Sequence, residues 1–140
     1  MKKFSRPQVL GVLMTIVVIT AVAMGIFLIG SPAEERARRI DERRVQDLAS
    51  IARAVDLYWT RHAGLPPSLD ELGKEPGGNV RSTDPSTGDL YEYRPLEAGT
   101  YELCARFAHD SGEAGRPTGD AFWSHSTGRQ CFRREARKIR

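Results

Sequence analysis

Residues 9–29, VLGVLMTIVVITAVAMGIFLI, hold no charged side chain. A helix of that length rises about 30 Å, the thickness of a bilayer hydrocarbon core. Burying it inside a soluble domain would need a large apolar surround, and the rest of the chain is too polar and too short to supply one. The stretch therefore predicts a transmembrane helix, preceded by a stub over residues 1–8. Ala21-Val22-Ala23 has the form of a signal cleavage site, but the apolar Met24 to Ile29 follow where a mature N-terminus is normally polar. An uncleaved anchor is expected.

Basic residues stand on both sides of this span, so orientation needs an argument. Lys2, Lys3 and Arg6 precede it, and Arg36, Arg38, Arg39, Arg43 and Arg44 follow it. The leading MKKFSR is short and signal-like, while the later cations alternate with Glu34, Glu35, Asp41 and Glu42. Two cysteines beyond the span suit an oxidising compartment. The stub is accordingly expected in the cytoplasm and the remainder outside it, on a single-pass protein of the cell's inner (cytoplasmic) membrane.

Gly30-Ser31-Pro32 punctuates the span, and from Ala33 to about His62 neither Gly nor Pro occurs. Val45, Leu48, Ile51, Ala52, Val55, Tyr58 and Trp59 recur at three- and four-residue spacing, the stripe of an amphipathic helix. The preceding EERARRIDERR is charged nearly all round, which predicts a solvated stalk over residues 30–44. Gly64 can end the helix in the left-handed conformation, and Pro66-Pro67 cannot continue it. Ser68 and Glu71 have capping-box spacing for one short helix, and Leu65, Leu69 and Leu72 would fold it back onto the long one.

Strand character begins at residue 90. Residues 90–94 and 101–107 alternate, with Tyr101, Leu103, Ala105 and Phe107 on one face, and residues 130–133 read as a third strand. Residues 108–121 are a polar loop, followed by a short returning segment at 122–125. The expected fold is α+β: a long helix packed on a small antiparallel sheet, with a globular domain over residues 45–133. Val45, Leu48, Ile51, Val55 and Tyr58 should face Tyr91, Tyr93, Leu103, Phe107 and Phe132.

Charge is unevenly spread. Residues 64–128 hold 11 acidic and 5 basic side chains, whereas residues 129–140 hold 6 basic and 1 acidic. Arg129, Arg133, Arg134, Arg137, Lys138 and Arg140 are candidates for contact with an anionic surface, with residues 134–140 forming a basic tail. The alternative is a terminus neutralised on the acidic domain. No aromatic is interleaved among the last eight residues, which argues against a surface that stacks nucleic-acid bases.

Cys104 and Cys131 are the only cysteines, and a bridge between them would contribute roughly 3.5 kcal/mol by closing 26 residues. The competing reading is a metal site using Cys104, His109, His125 and Cys131, whose spacings lack the close ligand pairs of zinc knuckles. Phe122, Trp123 and His125 are candidates for a recognition loop. No nucleophile elbow, phosphate-binding glycine loop or paired-histidine metal motif is present, so a non-enzymatic protein is expected.

The order of these parts resembles the type IV pilin and type II secretion pseudopilin family. The resemblance rests on the membrane helix running into an amphipathic helix, the Leu65-Pro66-Pro67 loop, and Asp84-Pro85 to Tyr93 (DPSTGDLYEY). It implies a pilin-like component of a bacterial envelope assembly, with protein partners in a secretion or pilus system. It also implies a C-terminal disulfide-bounded loop, and calcium as the only cofactor to consider, through Asp110, Glu113 and Asp120. The chain departs from fibre-forming members in lacking their glutamate: Gly11 is the sole processing-site candidate, and no acid stands in the span. That departure implies a minor or divergent member. The alternative is a stand-alone membrane-anchored extracytoplasmic binding or sensor module.

Overall fold

A computed structural model describes residues 6–29, 32–112 and 121–139. The chain divides into two compact units, Met1–Arg36 and Ala37–Arg140. In the first, the apolar stretch forms helix α1, Arg6–Ile29. Its 24 residues are long and apolar enough to cross a membrane, and its large side chains are exposed from Val9 to Phe27. Thr15 and Thr20 each donate their hydroxyl to the carbonyl four residues back, which satisfies both groups within the helix.

Helix α2 spans Pro32–His62. Within the globular unit its stripe of Leu48, Ile51, Ala52 and Val55 is fully buried. The facing sheet has three antiparallel strands in the order β1 (Glu92–Pro95), β2 (Thr100–Phe107), β3 (Gly128–Glu135). Tyr101, Leu103, Ala105 and Phe107 of β2, with Phe132 of β3 and Tyr91, complete the core, and Val45, Tyr58 and Tyr93 pack at its margin. The expected α+β arrangement of long helix and small sheet is therefore present.

Several local expectations are corrected. The solvated run fails at Asp41 and Arg44, which are only 4% and 7% exposed. They lie seven and four residues before Leu48 and so continue its buried stripe toward the N-terminus. Helix α2 ends one residue earlier than Gly64 implied: Ala63 takes the left-handed conformation, φ 52°, and its N–H donates to the Trp59 carbonyl at 2.9 Å. Ser68 precedes helix α3 (Leu69–Lys74) with extended backbone, but its side chain makes no capping hydrogen bond, and Glu71 pairs with Lys74 instead. Leu69 and Leu72 are buried as expected.

Leu90 is exposed and forms only an isolated bridge with Thr83, so β1 starts at Glu92. Strand β3 is longer than the alternation of residues 130–133 suggested. It reaches Glu135 and takes in Arg134, the first residue of the expected tail. The returning segment begins with a 3₁₀ turn, Ala121–Trp123.

Candidate functional surface around the disulfide-bounded loop

Strands β2 and β3 pair so that Cys104 faces Cys131 directly, and the two form a disulfide. Both sulfurs are thereby consumed, and among the described residues no three His, Cys, Asp or Glu side chains converge as metal ligands. The zinc arrangement of Cys104, His109, His125 and Cys131 is not what this fold builds. Of the three acids considered for calcium, Asp110 accepts the Gly112 N–H at 2.8 Å, whereas Glu113 and Asp120 lie outside the described residues.

The base of the loop is tied at two places. Ser111 N–H donates to the His125 carbonyl at 3.0 Å, and His125 N–H donates to Ser111 Oγ at 3.0 Å. Nearer β2, Asp41 on α2 accepts the N–H groups of Ala108 and His109, at 3.1 and 2.9 Å. Asp41 also pairs with Arg44, which bridges to Asp84 by two contacts. Burial alone would push the Asp84 carboxyl up, but Arg44 and the N–H groups of Ser86 and Thr87 outweigh it and hold the group below its usual value. One helix face thus anchors the 84–89 turn and the start of the disulfide-bounded loop. Nothing in the local sequence announces it; the continuation of the stripe through 41 and 44 is the one signal that could have done so.

The expected recognition residues separate. Trp123 and His125 are interior, 4% and 7% exposed. His125 stacks on Phe107 with ring centroids 3.7 Å apart, and its Nδ1 lies 2.9 Å from the Trp123 carbonyl, which can only accept, so this nitrogen carries the proton. Trp123 meets Phe132 edge-on at 5.0 Å. Phe122 alone is outward, 41% exposed, with the Arg134 guanidinium 5.8 Å from its ring centroid. Two of the three aromatic candidates therefore build the core beneath the loop.

The basic candidates also divide, because alternate residues of a strand face opposite ways. Arg129 and Arg133 lie on the outer face of the sheet. Arg129 forks onto Glu92 at 2.9 and 2.6 Å, holding that carboxyl below its usual range, and Arg133 reaches Glu102 at 3.4 Å. Arg134 points the other way, to Asp56 of α2 at 3.4 Å. The chain beyond β3 lies along α2: Arg137 N–H donates to Asp56 Oδ1 at 2.9 Å, and Ile139 N–H to Thr60 Oγ1 at 3.0 Å. The side chains of Arg137 and Lys138 are exposed, and Arg140 is outside the described residues. The five described cations are not one patch, and three of them face carboxylates of the domain itself.

Comparison with family models, curated proteins and solved structures finds no match to this chain. The fold defines an α+β domain carried behind one helix able to span a membrane.

Proposed function

We propose that this protein is a non-enzymatic, single-pass, pilin-like or pseudopilin-like component of a bacterial envelope assembly, with its C-terminal domain outside the cytoplasm. The observation that carries the reading is the order of parts: an apolar helix, a long helix whose inner face packs on a three-stranded antiparallel sheet, and a disulfide at the C-terminal hairpin. The anchor supplies location, and the sheet and loop supply contacts. A stand-alone anchored binding or sensor module is the second reading, favoured by the absence of any acid from the span.

Cross-linking in the native membrane, followed by intact-mass analysis, tests it. Capture in a complex with other single-span envelope proteins is the expected result, and loss of the first eleven residues would add processing to it. A full-length chain that stays monomeric overturns the assembly reading in favour of the stand-alone module.

A further inference from the structure

The outer face of the sheet is organised in rows set by strand register. Glu92, Cys104 and Cys131 form one row across β1, β2 and β3. Arg94, Glu102 and Arg133 form the next, and Arg106 lies opposite Arg129 on the other side. The disulfide is thus set among four arginines. Its two sulfurs are not equivalent. Cys104, on the central strand, is 1% exposed and lies 3.5 Å from Arg129 Nη2, whereas Cys131, on the outer strand, is half-buried.

Thiol–disulfide exchange requires a thiolate to attack one sulfur in line with the S–S bond, expelling the other as a thiolate. Reaching Cys104 in line means approaching over β1, and Cys104, at 1% exposure, offers almost no surface to an attacking group on that side. Reaching Cys131 in line means approaching from beyond β3, which has no strand on that side among the described residues. The departing Cys104 sulfur then develops its negative charge beside Arg129, the kind of electropositive setting that stabilises a thiolate.

We propose that the Cys104–Cys131 bridge is a thiol-exchange site of fixed polarity, with Cys131 the attacked sulfur and Cys104 the leaving sulfur received by Arg129. A small thiol such as glutathione is the co-reactant. Its thiolate bonds to the Cys131 sulfur as the S–S bond breaks, giving a mixed disulfide at Cys131 and a thiolate at Cys104. A second thiol then attacks the glutathione sulfur of the adduct and frees Cys131. In sum, two thiols become one disulfide, and the protein bridge takes up two electrons and two protons. In the reverse direction the Cys104 thiolate attacks the Cys131 sulfur of the mixed disulfide, expels the glutathione thiolate and restores the bridge.

The test treats the full-length protein in detergent micelles with reduced glutathione, traps free thiols with an alkylating agent, and maps both modifications by peptide mass spectrometry. The expected product carries glutathione on Cys131 and the alkyl group on Cys104, at a rate proportional to glutathione concentration. Arg129→Gln should slow the reaction about tenfold without changing the site, and Arg129→Lys should recover part of the loss. Glutathione on Cys104, or equally on both, overturns the polarity. A rate independent of glutathione concentration would mean that unfolding precedes attack and overturns the site. An unchanged rate in Arg129→Gln removes Arg129 from the step. The wild-type mapping stands whether or not the variants fold.

Discussion

Arg44 and Asp84, 40 residues apart in the sequence, are joined by two hydrogen bonds: Nε to Oδ2 at 2.5 Å and Nη2 to Oδ1 at 3.1 Å. The same guanidinium donates to Asp41, so one cation is shared by two carboxylates, and all three side chains are nearly excluded from water. The cluster fastens α2 to the turn before β1, and Asp41 fastens it to the chain leaving β2.

Replacing Arg44 with Met keeps the bulk and removes the charge, leaving two carboxylates buried together. Breaking a buried pair in this way costs about 3–5 kcal/mol. Denaturant unfolding of Arg44→Met should show a loss of that size, with Arg44→Lys intermediate because Lys cannot fork across both acids. A loss below about 1 kcal/mol would place the cluster among solvent-screened surface pairs.

Acid should loosen the same junction. The folded-state pKa of Asp84 is depressed, so its contribution is complete above the unfolded value of about 3.9 and is lost as the pH falls through the folded value. Stability should therefore drop as the pH goes below about 4. Asp84→Asn should be less stable at neutral pH and should show a shallower acid decline. Parallel stability curves for the two proteins would assign the acid loss to other groups.

The end of α2 offers a gain. Ala63 sits at φ 52°, where an L residue with a Cβ is disfavoured by roughly 1 kcal/mol. Ala63→Gly should raise stability by about that amount, less the extra freedom glycine brings to the unfolded chain. Gly64 needs no positive φ, and a Cβ there would meet only the His62 carbonyl at 3.8 Å, so Gly64→Ala should be close to neutral. Thermal melts of the two variants should move in the order Ala63→Gly above Gly64→Ala.

Gly99, between β1 and β2, has the opposite sensitivity. Its φ is +76°, and an added Cβ would lie 2.8 Å from Trp59 Cη2. Its carbonyl also accepts the Ala136 N–H at 2.9 Å, which ties the chain after β3 to this turn. Gly99→Ala should destabilise by about 1–3 kcal/mol and shift the Trp59 fluorescence. An unchanged emission spectrum would mean that the ring does not abut the turn.

The elements that were legible in the sequence are those whose signal is periodic and repeated. Twenty-one uncharged residues define α1, the spacing from Leu48 to Val55 defines the buried face of α2, and alternation over Tyr101 to Phe107 defines β2. Ends were less legible, since a single residue decides them. Ala63 accepted the left-handed turn that the neighbouring glycine could have supplied, and Ser68 left its capping bond unmade. The fate of a polar residue depends on what lies opposite it, so Asp41 and Arg44 read as solvated until the 84–89 turn and the segment after β2 cover them.

An apolar helix of membrane-spanning length, an amphipathic helix after it, and a small antiparallel sheet bearing both cysteines can all be read from the amino acids in order, because hydrophobic period and length are local properties of the chain. How the charged and aromatic candidates are shared out depends instead on the packing of helix against sheet. Strand register sent Arg129 and Arg133 to one face and Arg134 to the other, and core packing drew Trp123 and His125 inside. Burial and ion pairing are set by contacts between segments far apart in the chain, which no single stretch of sequence contains.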